Sequence, residues 1–188
     1  GNESQFAANH LGHFALTGLL LDRLRPDARV VVLSSTLHRG GRIHFDDLTG
    51  ERSYSPTAFY SQSKFANTVF GLELDRRLRA AGRPVRSVLA HPGYSATNLQ
   101  TTGPTGLMPM LLRVGNALFA QSADQGALPQ LYAATDPNAR SGEFYGPDGL
   151  GESRGYPTVV KPAPAATDPE LGRRLWELSE QLTGVSYL

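Results

Sequence analysis

At 188 residues, with 40% hydrophobic and 19% charged residues, the chain has the size and composition of one globular domain spanning residues 1–188, not of a disordered or fibrous segment. A formal net charge of +1 provides no long-range field to recruit nucleic acid or an anionic membrane, and the absence of cysteine excludes disulfides and thiolate metal sites. The longest apolar stretches, such as residues 107–112, fall far short of a bilayer, and no signal-peptide pattern occurs, so a cytoplasmic location without a membrane segment is expected.

The chain opens Gly1-Asn2-Glu3-Ser4 without an initiating methionine and enters an apolar helical pattern within six residues, which reads as part of a longer polypeptide. From residue 4 to 24, Phe6, Leu11, Phe14, Leu19, Leu20 and Leu24 approximate helical spacing, and Pro26-Asp27 ends the segment. Val30-Val31-Val32-Leu33 has the pattern of a strand buried on both faces, stopping at Ser34-Ser35. A polar loop over residues 36–57 leads to a helix predicted over 58–81, with Phe59, Phe70, Leu74 and Leu78 facing inward and Gly82 as its left-handed stop. Residues 85–90 read as a second buried strand ending at His91-Pro92-Gly93.

A stretch rich in Gly, Pro, Met and Leu follows over residues 101–119, readable as a lid over an apolar substrate or as plain helix packing. Ser122-Ala-Asp-Gln125 fits a capping box that opens a helix to about residue 134. A short strand is predicted at 143–145, then a proline-rich segment over 156–164. Thr167-Asp168-Pro169-Glu170 starts a final helix ending near Thr183-Gly184. This alternation predicts an α/β fold with a mostly parallel sheet and flanking helices. In such sheets ligands bind beyond the carboxyl ends of the strands, where Ser34-Ser35 and His91-Pro92-Gly93 lie.

Four groups of residues could carry chemistry. Tyr60 and Lys64 are four apart on a helix and therefore share a face. A phenol with a pKa of ~10 is a poor proton carrier at neutral pH, and a neighbouring ammonium favours its ionised form. Against this stands a simple surface pair. A hydroxyl of Ser34 or Ser35 at a strand end could donate to a developing alkoxide, although serines there often only shape loops. Asn9 is unfavourable in mid-helix and hints at a purpose beyond a solvent-facing position. Pro92-Gly93-Tyr94-Ser95-Ala96-Thr97 bends the chain from a strand end and lets backbone approach a flat ligand, or is a generic turn. His10 and His13 lack an acidic or cysteine partner at a recognisable metal spacing, so they read as packing or surface residues and no metal is expected.

The order and spacing of these four groups resemble the short-chain dehydrogenase/reductase family. Asn9-His-Leu-Gly-His-Phe14, the loop through Ile43-His-Phe-Asp-Asp-Leu48 and the tail Leu175-Trp-Glu-Leu-Ser-Glu-Gln-Leu-Thr-Gly184 are similar to its retinol-dehydrogenase-like branch, the tail to bacterial members of it. The resemblance implies a Rossmann-like sheet and an oxidoreductase that transfers a hydride between NAD(P)(H) and an apolar alcohol or carbonyl substrate. The family's catalytic tetrad falls on Asn9, Ser35, Tyr60 and Lys64. By this analogy Tyr60 exchanges the proton with the substrate oxygen and Ser35, the second serine of the pair, hydrogen-bonds that oxygen. Lys64 binds the nicotinamide ribose and tunes Tyr60, and Asn9 holds a water linking Lys64 to solvent. Pro92, Gly93 and Thr97 would contact the nicotinamide. The resemblance favours NADP over NAD, leaves the oligomeric state open and puts a homodimer face on the helices of Asn9 and Tyr60.

The family's glycine-rich phosphate loop, its NAD/NADP-selecting residue and its Asn-Asn-Ala-Gly turn do not occur in this sequence. Gly146-Pro-Asp-Gly-Leu-Gly151 is followed by prolines instead of a helix and is not that loop. The expectation is therefore the C-terminal, catalytic part of a Rossmann-fold dehydrogenase, unable by itself to fold into a stable enzyme. The competing reading is a truncated, non-catalytic fragment that acts as a binding or assembly module. A metal hydrolase using His10, His13 and His91 is a weaker third.

Overall fold

The computed structural model describes residues 1–94 and 121–188. Among these residues the sheet has four strands: β1 (Arg29–Leu33), β2 (Arg86–Ala90), β3 (Phe144–Pro147) and β4 (Pro157–Val160), in that order. The first three run parallel, with Val31 beside Val88 and Leu89 beside Phe144, and β4 returns antiparallel with Tyr145 beside Val159. The sheet is thus α/β and mostly parallel, as its sequence pattern implied.

Helix α1 runs continuously over residues 4–20, in the segments Ser4–Phe6, Ala7–Leu11 and Gly12–Leu20. Its middle segment is a π turn, in which the Gly12 amide reaches back to the Ala7 carbonyl. Such a turn accommodates one extra residue and shifts the helical face by one position. Helix α2 (Pro56–Ala80) links β1 to β2, capped by Ser55 and stopped by Gly82 at φ 62°. Helix α3 (Ala123–Thr135) is capped by the Ser122 hydroxyl on the Gln125 amide. Helix α4 (Pro169–Thr183) is capped by Asp168, with Gly184 left-handed at its end.

Alternation along β2 sorts the core. Leu89 joins Phe14, Leu74, Phe144 and Trp176 under α1, α2 and α4, while Val88 and Ala90 pack with Ala133 and Tyr145 under α3. A further cluster of Phe6, Leu11, Phe65, Val69 and Leu175 joins α1, α2 and α4. α4 thus packs on one side of α1 and α2, and Leu16, Leu19 and Leu20 of α1 remain exposed.

Three expectations need correction. Leu19 and Leu20 are exposed, and Leu21 is buried in their place because the π turn and the closing 3-10 turn (Leu21–Arg23) rotate the apolar face. β1 is not buried on both faces: Leu33 is exposed and Val30 and Val31 are half-buried, and β1 pairs only with β2 among the described residues. The proline-rich segment contains β4, tolerated because Pro157 and its neighbours lie at the sheet edge.

Candidate active site

β1 and β2 end side by side, and their exits form two walls of one cleft of about 570 Å³. The Ser34–Leu37 chain forms one wall and the Pro92–Tyr94 turn the other, with Ala123 and Gly126 of α3 contributing a third side. Tyr60 and Lys64 of α2 open onto the same cleft. Across residues 59–71 of α2 every other side chain is buried, and only these two retain solvent access. Their packing therefore has no need of a phenol and an ammonium, whereas the cleft has both at hand. The Lys64 ammonium lies 5.6 Å from the centre of the Tyr60 ring. Burial holds the Lys64 ammonium below the usual lysine range. Among the described residues Lys64 forms no ion pair.

The two serines divide their work. Ser34 is buried, donates to the Lys64 carbonyl at 2.9 Å and lies 2.9 Å from the Thr68 hydroxyl. Ser35 is half-buried on the cleft wall, its oxygen accepting the Leu37 amide at 3.2 Å and capping the 3-10 turn Thr36–Gly40. Of the pair, Ser35 is the hydroxyl with room to meet a ligand.

Asn9 sits in the π turn and donates to the Ser63 hydroxyl at 3.0 Å, which in turn donates to the Tyr60 carbonyl at 2.8 Å. It thus reaches the helix of Tyr60 and Lys64 through one serine. The π turn lets the successive residues Asn9 and His10 both turn toward the protein. His10 is fully buried between Phe6 and Phe70 and is bonded to Ser179 at 2.8 Å, while His13 is exposed. Burial pushes the His10 imidazole down to about 4, against a smaller opposing pull from Asn67. Among the described residues, no three His, Cys, Asp or Glu side chains group as a metal site.

Pro92 and Gly93 lie on the wall facing Ser35, and Gly93 has φ 67°, which a residue with a Cβ adopts only with strain. Thr97 and the 101–119 stretch lie outside the described residues. Sequence reasoning missed the residues that hold this wall. Gln121 donates to the Pro92 carbonyl at 2.6 Å and accepts the Gly155 amide, and Glu152 meets His91. Neither Gln121 nor Glu152 belongs to a local motif, and their partners are 29 and 61 residues away.

The fold and cleft define the strand-end site of an α/β sheet of Rossmann type. No family model matches the chain. It is 40% identical over 191 residues to human retinol dehydrogenase 14, a match spanning 98% of this chain and 53% of that protein. It is 38% identical over 190 residues to mouse polyprenol dehydrogenase, covering 98% and 54%. The crystal structure of an uncharacterized protein from Mycobacterium paratuberculosis superposes with a TM-score of 0.80 at 44% identity, covering all of this chain and 61% of that one. The chain spans about half the length of the curated relatives it matches. It belongs to the short-chain dehydrogenase/reductase family, in the retinol-dehydrogenase-like branch.

Proposed function

We propose that this chain is the catalytic portion of an oxidoreductase that interconverts an apolar alcohol and its carbonyl with NAD or NADP. The observation that carries the proposal is the selective access of Tyr60 and Lys64, within an otherwise buried run of α2, to the cleft that Ser35 also lines. The residues fit such a cofactor. The cleft volume is within the range of small-molecule sites, Leu33, Leu37 and Pro92 give it apolar walls, and Lys64 has a cation to offer a ribose hydroxyl. When bound, the nicotinamide supplies the redox chemistry.

In this reading Tyr60 passes a proton to or from the substrate oxygen, and Ser35 donates a hydrogen bond to that oxygen as charge develops on it. Lys64 holds the ribose, and its positive charge favours the anionic form of an oxygen beside it. Asn9, through Ser63, supports the helix that carries both. Pro92, Gly93 and Thr97 are proposed as the nicotinamide contacts, with NADP favoured. The matched relatives' names, retinol and polyprenol dehydrogenase, favour a long apolar alcohol as the substrate class. A homodimer through the parts of α1 and α2 that α4 leaves exposed is the assembly the family resemblance favours. The competing reading, a non-catalytic binding module, gives no reason for the access of Tyr60 and Lys64.

Tyr60→Phe in the intact protein is the test. Turnover of a retinol-like alcohol should fall by about a thousandfold or more, with cofactor affinity nearly unchanged. Retained activity would overturn the role of Tyr60.

A further inference from the structure

The turn that follows β2 is held from behind by a residue far away in sequence. His91 has no solvent exposure. The Gly93 amide donates to its Nδ1 at 3.1 Å. An amide has only a proton to offer, so Nδ1 is bare and the ring carries its proton on Nε2. From there it donates to Glu152 Oε2 at 3.0 Å. The other carboxylate oxygen of Glu152 takes Arg39 at 2.5 Å, and Arg39 also reaches the Lys161 carbonyl at 3.1 Å.

The backbone of Glu152 does not suit its residue type. Its φ is 56°, in the left-handed region where glycine is the comfortable choice. A non-glycine residue in such a conformation points to a requirement for its side chain. The same segment also crowds the turn directly. The Tyr94 amide donates to the Ser153 carbonyl at 2.7 Å, and a Cβ on Gly93 would lie 2.9 Å from the Glu152 carbonyl and 2.5 Å from that of Ser153.

The opposite wall is held by a second imidazole with the reverse tautomer. His38 Nδ1 donates to the Ser35 carbonyl at 2.6 Å, and its Nε2 accepts the Ala163 amide at 3.0 Å. Both rings pack against Phe144, each at 5.3 Å. Arg39 follows His38 directly, so the Arg39–Glu152 pair ties one wall to the other.

We propose that Glu152 is a positioning residue: acting through His91, it fixes the Pro92–Gly93 turn as the wall against which a nicotinamide ring packs. This rests on the cofactor reading of the cleft given above. The charge on Glu152 meets Arg39, and its geometry sets the tautomer and orientation of His91, which in turn fixes where the Gly93 amide points.

Glu152→Gly in the intact protein tests it, because glycine suits the backbone there and removes only the side chain. Glu152→Gln is the conservative control, since its amide oxygen still accepts from His91 Nε2. Hydrogen exchange at the Gly93 amide, read without cofactor, should speed up about tenfold in Glu152→Gly while the β2 amides keep their protection. The KM for NAD(P)(H) should rise about tenfold with kcat changed by less than about threefold, and Glu152→Gln should recover most of both effects. A Glu152→Gly protein with a wild-type cofactor KM, or with wild-type exchange at Gly93, overturns the role of Glu152. A wild-type protein that binds no nicotinamide cofactor overturns instead the function on which this role rests.

Discussion

The hydroxyl of Ser34 donates to the backbone carbonyl of Lys64 at 2.9 Å, joining the end of β1 to the turn of α2 that carries the ammonium. With the Asn67 side-chain amide donating to the Leu33 carbonyl at 3.1 Å, this bond holds the end of β1 against α2. It leaves neighbouring serines in unlike surroundings, Ser34 buried and Ser35 half-buried.

Ser34→Ala and Ser35→Ala should therefore separate. Ser34→Ala removes its bonds to the Lys64 carbonyl and the Thr68 hydroxyl, which keep each other at 3.1 Å, and should cost about 1 kcal/mol of stability. Ser35→Ala loses only a capping contact to the Leu37 amide, about 1 kcal/mol, but should slow turnover by about a hundredfold. Denaturant melts and initial rates measured on both variants check this. Equal rate losses would remove the distinction between the two serines.

Lys64→Met keeps an apolar stem of similar length and removes the charge. It should weaken cofactor affinity and slow the rate, each by about tenfold or more. Normal cofactor affinity in a titration would contradict the ribose contact.

The buried imidazoles make stability pH-dependent. Burial lowers His10 to about 4 in the folded protein, from an ordinary value of 6.5. In the unfolded chain the ring takes up a proton as the pH falls below about 6.5, and in the folded chain it does not. Stability is thus complete above about pH 6.5 and is lost as the pH falls toward 4, by roughly 3 kcal/mol for this ring alone. Burial also lowers His38, and lowers His91 to about 4 against the opposing charge of Glu152, so both add in the same direction. Chemical denaturation at pH 7, 6 and 5 should show the decline, and a His10→Asn variant should show a shallower one. A stability curve that is flat between pH 7 and 5 would contradict the buried neutral state.

Gly146 has no Cβ because His91 occupies the space. A Cβ built there would lie 2.2 Å from His91 Nε2, the atom that meets Glu152. Gly146→Ala should cost about 1–3 kcal/mol by overpacking and should weaken cofactor binding through the displaced ring. Thermal melts and a cofactor titration test both effects, and an unaltered melting temperature would show that the ring can yield.

The elements that could be read from sequence were those whose cause is local. α2 and its glycine stop, the Ser122 and Asp168 caps, the strands Arg29–Leu33 and Arg86–Ala90 and the shared helix face of Tyr60 and Lys64 all follow from neighbours within a few residues. Two of the three faults had causes elsewhere in the chain or in backbone geometry. A π turn invisible to a 3.6-residue period put Leu21 where Leu19 and Leu20 were expected, and β4 was hidden by prolines that an edge strand tolerates.

By itself, then, the sequence determined that Tyr60 and Lys64 share a helix face and that Ser34-Ser35 and Pro92-Gly93 follow strand ends, because helical spacing and strand termination are short-range properties. Only the tertiary structure decided that Ser34 is buried against the Lys64 carbonyl while Ser35 is half-buried, that α4 packs on α1 and α2, and that Glu152 stands behind Gly93. Those contacts join residues far apart in the chain, and the packing that brings them together leaves no trace in any local window.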